Sequence, residues 1–432
     1  MTDVFRFTGP LADLSPADRR ALTERTTSAD DAVRTRTAGV IARVRSEGDA
    51  ALIAFAREFD GATLTQLEVP RGAWVAALAG LDSALRHAME RAARNIATAH
   101  GAFLPEGIEV ETEPGVIVGR RPDPLNRVGI YAPGGRAAYP SSLLMGAVPA
   151  RIAGVKEVVV CSPPAAFGMP SAVVLAAAEL AGVDRVFAVG GAGAVAAMAY
   201  GTASVPRVDR IVGPGNAYVA EAKLQVAGVV AIDSPAGPSE LLVVADRAAD
   251  PATIAREVVA QAEHDPRAVV VVVAIGAAVG RRVVEAIAAI LPAQDRRAII
   301  EEAMATRGGV LVAQSVDEAV GFVASWAPEH LLLAVADPAG AFSAVRNAGT
   351  VFFGETSSVA FGDYLTGANH VLPTGGLARS YSGLSTADFV RWTTYQRVDR
   401  AAARRLATDT AVFAEAERLG AHANAARAWA RD

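Results

Sequence analysis

Residues 261–273 read "QAEHDPRAVVVVV". An unbroken run of valines marks a strand buried on both faces, as in a parallel sheet. Upstream, "DPATIAREVVAQAEH" carries helical apolar spacing at Ile254, Val258, Val259 and Ala262. The polar group Gln261, Glu263 and His264 therefore closes a helix, and Pro266 forbids its continuation. Gln261 and His264, three residues apart, become neighbours on one helical face.

The same alternation extends outward in both directions. Short apolar runs followed by glycine or proline and then a helix begin at Arg127: "RVGIYAPGG", "EVVVCSPP", "RVFAVGGAG", "RIVGPGN" and "VVAIDSPAGPSE". A second series runs through "ELLVVAD", "AVVVVVVAI", "GGVLVAQS", "HLLLAVA" and "GTVFFGE". Strands alternating with helices mean βαβ units and parallel sheets. Two α/β modules result, with "AGPSE" at 236–240 as the crossing point and no tandem repeat between them. Ahead of them, "RTAGVIARVRSEGDAALIAFAREFDG" and "ALRHAMERAARNIATAHGAFL" are amphipathic helices. Beyond about Tyr381 strand character fades into an Ala/Arg/Glu-rich helical tail.

Composition narrows the class. The 432 residues are 52% hydrophobic and 20% charged, which describes a compact globular chain long enough for two domains. A net charge of −5 leaves no electrostatic footprint for nucleic acid. The lone Cys161 excludes internal disulfides and fits a reducing compartment. The N-terminal "MTDVFRFTGPLADLSPADRR" has no apolar signal region, and the apolar stretch 268–280 falls short of the roughly 18 residues a membrane span needs. A soluble, cytoplasmic-type protein is expected.

Ligand sites in open α/β sheets lie outside the carboxyl ends of strands. "VGGAGAVAA" follows one strand and opens a helix, so Gly191, Gly193 and Ala196 match the dinucleotide pattern G-x-G-x-x-A. The acidic residue that should follow has no counterpart, because Asp209 precedes the next strand. A tight strand-to-helix turn explains these residues equally well. In "GPGN" Asn216 is a candidate donor to a phosphate or carbonyl.

His87 and His100 lie in the amphipathic N-terminal helices. The other four histidines occupy short polar islands: "QAEHD", "APEHLLL", "GDYLTGANH" and "AERLGAHAN". Singly, each reads as a satisfied structural histidine; together they supply the imidazoles and carboxylates that Zn²⁺ prefers. Gln261 and His264 can reach one ion, and Asp363 can add a carboxylate. Glu329 and His330 are adjacent on an extended segment, so they point opposite ways and serve separate proton transfers.

In this order the islands resemble the histidinol dehydrogenase family over essentially the whole chain. The matching segments are "VGIYAPGGRAAYPSS", "GPGNAYVAEAK", "AIDSPAGPSE", "QAEHD", "APEHL", "GDYLTGANHVLPT", "SGLSTADF" and "ERLGAHANA". The resemblance implies an α/β fold of two incomplete Rossmann-like parallel-sheet modules with N-terminal helices and a helical tail that crosses to a partner subunit. It divides the chain into an N-terminal helical segment (1–20), a discontinuous first domain (21–126 and 240–380), an NAD-side domain (127–239) and the tail (381–432). It implies a homodimer that oxidises L-histidinol to L-histidine with two NAD-dependent hydride transfers and one Zn²⁺ per subunit. The implied zinc ligands are Gln261, His264, Asp363 and, from the partner, His422. Glu329 and His330 become the acid–base pair, with Glu329 activating water. Ser239, His370 and Glu417 join the metal ligands and Glu329 in holding substrate, and Tyr131, Gly193 and Asn216 contact NAD. Gly193 departs from the family, which usually has Gln there; the same change creates the G-x-G-x-x-A match. A paralogous sulfopropanediol dehydrogenase on this scaffold would need extra cationic groups for its sulfonate, whereas Glu417 suits an imidazole; a catalytically silent binding protein on the same fold is favoured by Gly193 alone, since all the implied metal and proton-transfer positions are present.

Overall fold

The computed structural model describes residues 4–25, 31–134 and 138–430. Residues 135–137 of the motif at 128–142 lie outside the described residues. In chain order the strands are β1 (Phe7–Pro10), β2 (Ile108–Glu113), β3 (Val116–Pro124), β4 (Arg127–Tyr131), β5 (Glu157–Ser162), β6 (Arg185–Ala188) and β7 (Arg210–Val212). They continue as β8 (Ala231–Ile232), β9 (Glu240–Ala245), β10 (Val269–Ile275), β11 (Gly309–Ala313), β12 (His330–Ala334), β13 (Thr350–Phe353) and β14 (Val390–Val398).

The valine run is β10, held between β9 and β11 with every neighbour parallel. Val270 and Val272 enter one hydrophobic core, while Val269, Val271 and Val273 enter the core on the opposite face. A strand with water on neither side has no use for polar alternation, which is why the run is continuous. The six-stranded sheet has the order β1-β11-β10-β9-β12-β13, and a five-stranded parallel sheet has β6-β5-β4-β7-β8. Without β1, each sheet reads 3-2-1-4-5 in its own chain order, the Rossmann arrangement lacking its sixth strand. The expected α/β fold of two incomplete Rossmann-like modules is therefore observed.

Three expectations about the periphery are corrected. The first 20 residues are not purely helical: Phe5 and Phe7 are buried, and β1 pairs in parallel with β11 at the sheet edge. Gly9 and Pro10 cut that strand to four residues, too short to show a period. Residues 31–102 do not side with 240–380. Helices Asp31–Glu47, Asp49–Phe59, Arg71–Ala79 and Ser83–Ala102 share one core with β4, β5 and β6, through Val44, Leu52, Trp74 and Ile96 among others. The tail opens with a strand, since β14 pairs antiparallel with β3, which also pairs with β2. Its sequence "VRWTTYQRV" is rich in the β-branched and aromatic residues that favour strands.

Beyond β14, helices Arg400–Ala416 and Gly420–Arg427 pack on each other through Ala411, Ala414 and Ala423. Val412, Phe413, Leu419 and Trp429 remain exposed. Among the described residues, no helix is long and apolar enough to cross a membrane.

Candidate functional site

Two sites emerge, at opposite ends of their strands. The first obeys the carboxyl-end rule. A cavity of about 810 Å³ lies beyond β4, β5 and β6, walled on its far side by the N-terminal helices. It opens at the switch point between β4 and β7, where the strand order reverses.

The three residues expected to meet NAD all line it. Tyr131 ends β4, and its hydroxyl accepts from the Gly191 N–H at 3.2 Å, leaving its own proton to donate. Burial pushes that phenol up to about 12, so it stays neutral. Asn216 caps helix Ala217–Val226, its Oδ1 accepting from the N–H groups of Tyr218 and Val219. Its amide Nδ2 is left to donate. Gly213 sets this loop: at φ 113° a Cβ would stand 2.2 Å from the Tyr131 carbonyl oxygen. The Gly213 N–H donates to Asp233 at 2.7 Å, its carbonyl accepts from Lys223 at 3.0 Å, and Lys223 and Asp233 are ion-paired in the interior. Gly193 lies in the first turn of helix Gly191–Tyr200, where a Cβ would stand 3.3 Å from Leu52 and 3.5 Å from Phe55.

The second site breaks the carboxyl-end rule. Ser239 and Glu329 directly precede β9 and β12, and His330 is the first residue of β12, so this site gathers at amino ends. Glu329 Oε2 accepts from the Ser239 hydroxyl at 2.8 Å and from the Glu240 N–H at 2.6 Å. Ser239 in turn accepts from the Gln261 amide at 2.6 Å. His330 Nδ1 donates to the Glu240 carbonyl at 2.9 Å and stands 3.4 Å from Glu329. The expectation that Glu329 and His330 diverge is thereby corrected: Glu329 sits in a bend before the strand begins, where strict alternation does not apply. His330 Nε2 is buried without a hydrogen bond, 3.6 Å from Asp363.

Electrostatics bind the group further. Burial opposes the His330 imidazolium, but Glu329 and Asp363 outweigh it and raise the pKa well above the ordinary value. Burial likewise opposes charge on Asp363, and His330, His370 and His264 overcome it, lowering that carboxyl. His370 is shifted down by burial; its ring bridges the Asp363 carbonyl at 2.8 Å and the Ser142 hydroxyl at 3.1 Å.

His264 stands one residue beyond the helix C-cap, Glu263, and its N–H keeps a 3.4 Å bond to the Gln261 carbonyl, so the three-residue spacing survives the helix end. Gln261, with its side-chain nitrogen committed to Ser239, keeps its side-chain oxygen Oε1 to coordinate. An amide oxygen, an imidazole and a carboxylate from Gln261, His264 and Asp363 form an N/O donor set of the kind Zn²⁺ accepts. Within one chain only His264 and Asp363 of this set are His or acidic groups, and among the described residues no three His, Cys, Asp or Glu side chains group to hold a metal. Glu417 and His422 are not brought to the site; both are exposed on the tail.

Two further residues escaped the sequence reading. Glu240 closes the motif "AGPSE", and its buried carboxylate takes a bidentate grip from Arg25 at 2.8 and 3.0 Å. Arg25 also donates to the Trp326 carbonyl and lies 3.6 Å over that indole ring. A buried acid at a strand start signals a partner, but nothing in "LTERTT" points 215 residues downstream.

The histidinol dehydrogenase family model matches residues 23–429. The chain belongs to the histidinol dehydrogenase family. Relatives of that name include one from Natronomonas pharaonis, 49% identical over 96% of this chain and 97% of its own length. Another, from Methanosarcina barkeri, is 42% identical over 96% of each chain. The crystal structure of histidinol dehydrogenase from Elizabethkingia anophelis superposes with a TM-score of 0.95 at 32% identity, covering 100% of this chain and 99% of that one. This family's chains are NAD-dependent oxidoreductases, and the site has the proton-handling groups such chemistry requires.

Arg25→Met should cost roughly 3–5 kcal/mol of stability, because it strands the Glu240 carboxylate in the interior. Urea denaturation monitored by tryptophan fluorescence would measure it; an unchanged midpoint would show that the pair carries no net stability.

Proposed function

We propose that the chain oxidises L-histidinol to L-histidine through bound L-histidinal, transferring two hydrides to NAD. The observation that carries this reading is the unbroken chain of contacts from Gln261 through Ser239 and Glu329 to His330 and Asp363. One alcohol, two NAD and one water give one carboxylate, two NADH and three protons.

Gln261, His264 and Asp363 would hold zinc, with His422 of a second copy as fourth ligand. Bound zinc would supply a Lewis acid and a template for the amine and imidazole nitrogens of the substrate. NAD, the hydride acceptor, would lie against Tyr131, Gly193 and Asn216. The chain's own groups handle protons. With its Nδ1 proton engaged by the Glu240 carbonyl, His330 would present Nε2 as the base once zinc occupied Asp363 and relieved that carboxylate's hold on the imidazolium, first for the alcohol proton and then for the hydrate proton. Glu329, with Oε2 pinned by Ser239 and Glu240, has Oε1 to take a proton from the attacking water. Ser239 and His370 orient the substrate's polar ends, and Glu417 of the second copy would meet its imidazole. Enclosure by a partner's tail keeps the aldehyde from escaping between steps. The exposed Phe413, Leu419 and Trp429 supply an apolar face for that docking.

Limiting L-histidinol with zinc-loaded protein should yield two NADH per substrate molecule. One would mean that the aldehyde escapes, and none would overturn the assignment. The partner contribution has its own test. Co-expressed His264→Ala and His422→Ala chains, each inactive alone, should form heterodimers with one intact site and recover activity. Persistent inactivity of the mixture would mean that the tail serves its own subunit. At position 193, Gly193→Gln should lower the apparent KM for NAD by about fivefold, the worth of one hydrogen bond. Unchanged NAD kinetics in that variant would separate this position from the cofactor.

A further inference from the structure

In the Rossmann arrangement an acidic side chain at the end of the second strand receives the ribose hydroxyls of the dinucleotide. Here the second strand of the five-stranded sheet, β5, ends in Ser162-Pro163-Pro164, and no acid follows. The glycine pattern at 191–196 follows the third strand, β6, instead of the first. Asp209 is spent elsewhere, accepting from the Asn126 and Arg127 N–H groups at 3.0 and 2.9 Å.

The vacant role has a candidate from another part of the chain. Asp60 is the C-cap of helix Asp49–Phe59 and the sole acid among the described residues lining the cavity. It stands at the carboxyl ends of β5 and β6: a Cβ on Gly190 would lie 2.7 Å from Pro163 and 3.4 Å from Asp60 Oδ2. The Asp60 carboxylate has no hydrogen-bond or ion-pair partner among the described residues, and half-burial pushes it up to about 6. A desolvated carboxylate without donors, facing an open cavity, is suited to a ligand that brings its own donors. Arg36, the one cation among the described lining residues, does not neutralise it; its guanidinium lies over the rings of Phe59 and Tyr218 at 5.3 and 5.7 Å.

We infer that Asp60 receives the vicinal ribose hydroxyls of the dinucleotide and excludes a 2′-phosphate, making it the residue that selects NAD over NADP. The inference rests on the reading of this cavity as the NAD site. Two hydroxyls of a cis-diol can donate to one carboxylate, whereas a 2′-phosphate would bring a second anion to the same place.

The test is titration of the full-length, substrate-free protein with NADH and NADPH, followed by energy transfer from tryptophan to the nicotinamide. The unaltered protein should bind NADH and discriminate strongly against NADPH. Asp60→Asn should bind NADH at least about tenfold more weakly, as expected for loss of a charged hydrogen-bond acceptor, and lose most of the discrimination. Asp60→Ser, read the same way with circular dichroism as the fold control, covers the case in which the amide disturbs folding. NADH binding with an unchanged NADH/NADPH ratio in both variants would overturn the role of Asp60 while sparing the cavity assignment. Failure of the unaltered protein to bind either dinucleotide would overturn both. A preference for NADPH in the unaltered protein would assign the ribose end to Arg36 and overturn the inference.

Discussion

The candidate active site depends on one buried carboxylate that never needs to touch substrate. Glu240 begins β9, the central strand of its sheet, and its main chain faces the site: the N–H holds Glu329 and the carbonyl holds His330 Nδ1. Its side chain points into the interior, where Arg25 and the Gly375 N–H fix it. A buried anion is tolerated only when fully paired, so this residue cannot drift without exposing an unpaired charge. The proton-transfer pair inherits that rigidity through two backbone hydrogen bonds. The same bond to the Glu240 carbonyl fixes the orientation of the His330 ring and, in its neutral form, leaves Nε2 as the nitrogen without a proton.

The sheets were legible because burial on both faces writes itself into the sequence as continuous apolar runs. Every run from "RVGIY" to "GTVFF" contains a strand. Elements that depend on distant partners were not legible in the same way. β1 is four residues long and exists because Phe5 and Phe7 find a sheet edge some 300 residues away. The N-terminal helices carry an apolar stripe, but the stripe says nothing about which of two sheets it will cover. β14 had strand composition and was obscured by the helical texture that follows it.

At the candidate site, residue types drew attention to polar islands, and the geometry came from loops that no periodicity describes. Gln261 and His264 kept their spacing even though the helix stops between them. Glu329 and His330 came together because a bend replaces the first residue of the strand. Asp60 and Arg25 carried no local signal at all: Arg25 matters through Glu240, 215 residues downstream, and Asp60 through a cavity whose other walls come from distant segments. The dinucleotide pattern was ambiguous for a related reason. Spacing can be matched by any tight strand-to-helix turn, whereas the first-strand position and the acidic residue that give it meaning are properties of the sheet.

The two sites must cooperate, although they sit at opposite ends of strands in different sheets. The helix Pro140–Ile152 supplies the physical link. Its start adjoins the residues after β4, where Gly134 and Ala138 line the cavity proposed for the dinucleotide. Its first turn carries Ser142, which reaches His370 beside Asp363, and the Met145 carbonyl accepts from Asn369 at 2.8 Å. A helix with nine consecutive buried residues, from Ser142 to Ala150, cannot shift on one side alone. A two-step oxidation in which the first dinucleotide must leave before the second enters needs the aldehyde held during that exchange. Its hydrogen bonds with His370 and Asn369 make this helix a continuous packed connection between the cavity and the Glu329–His330 cluster.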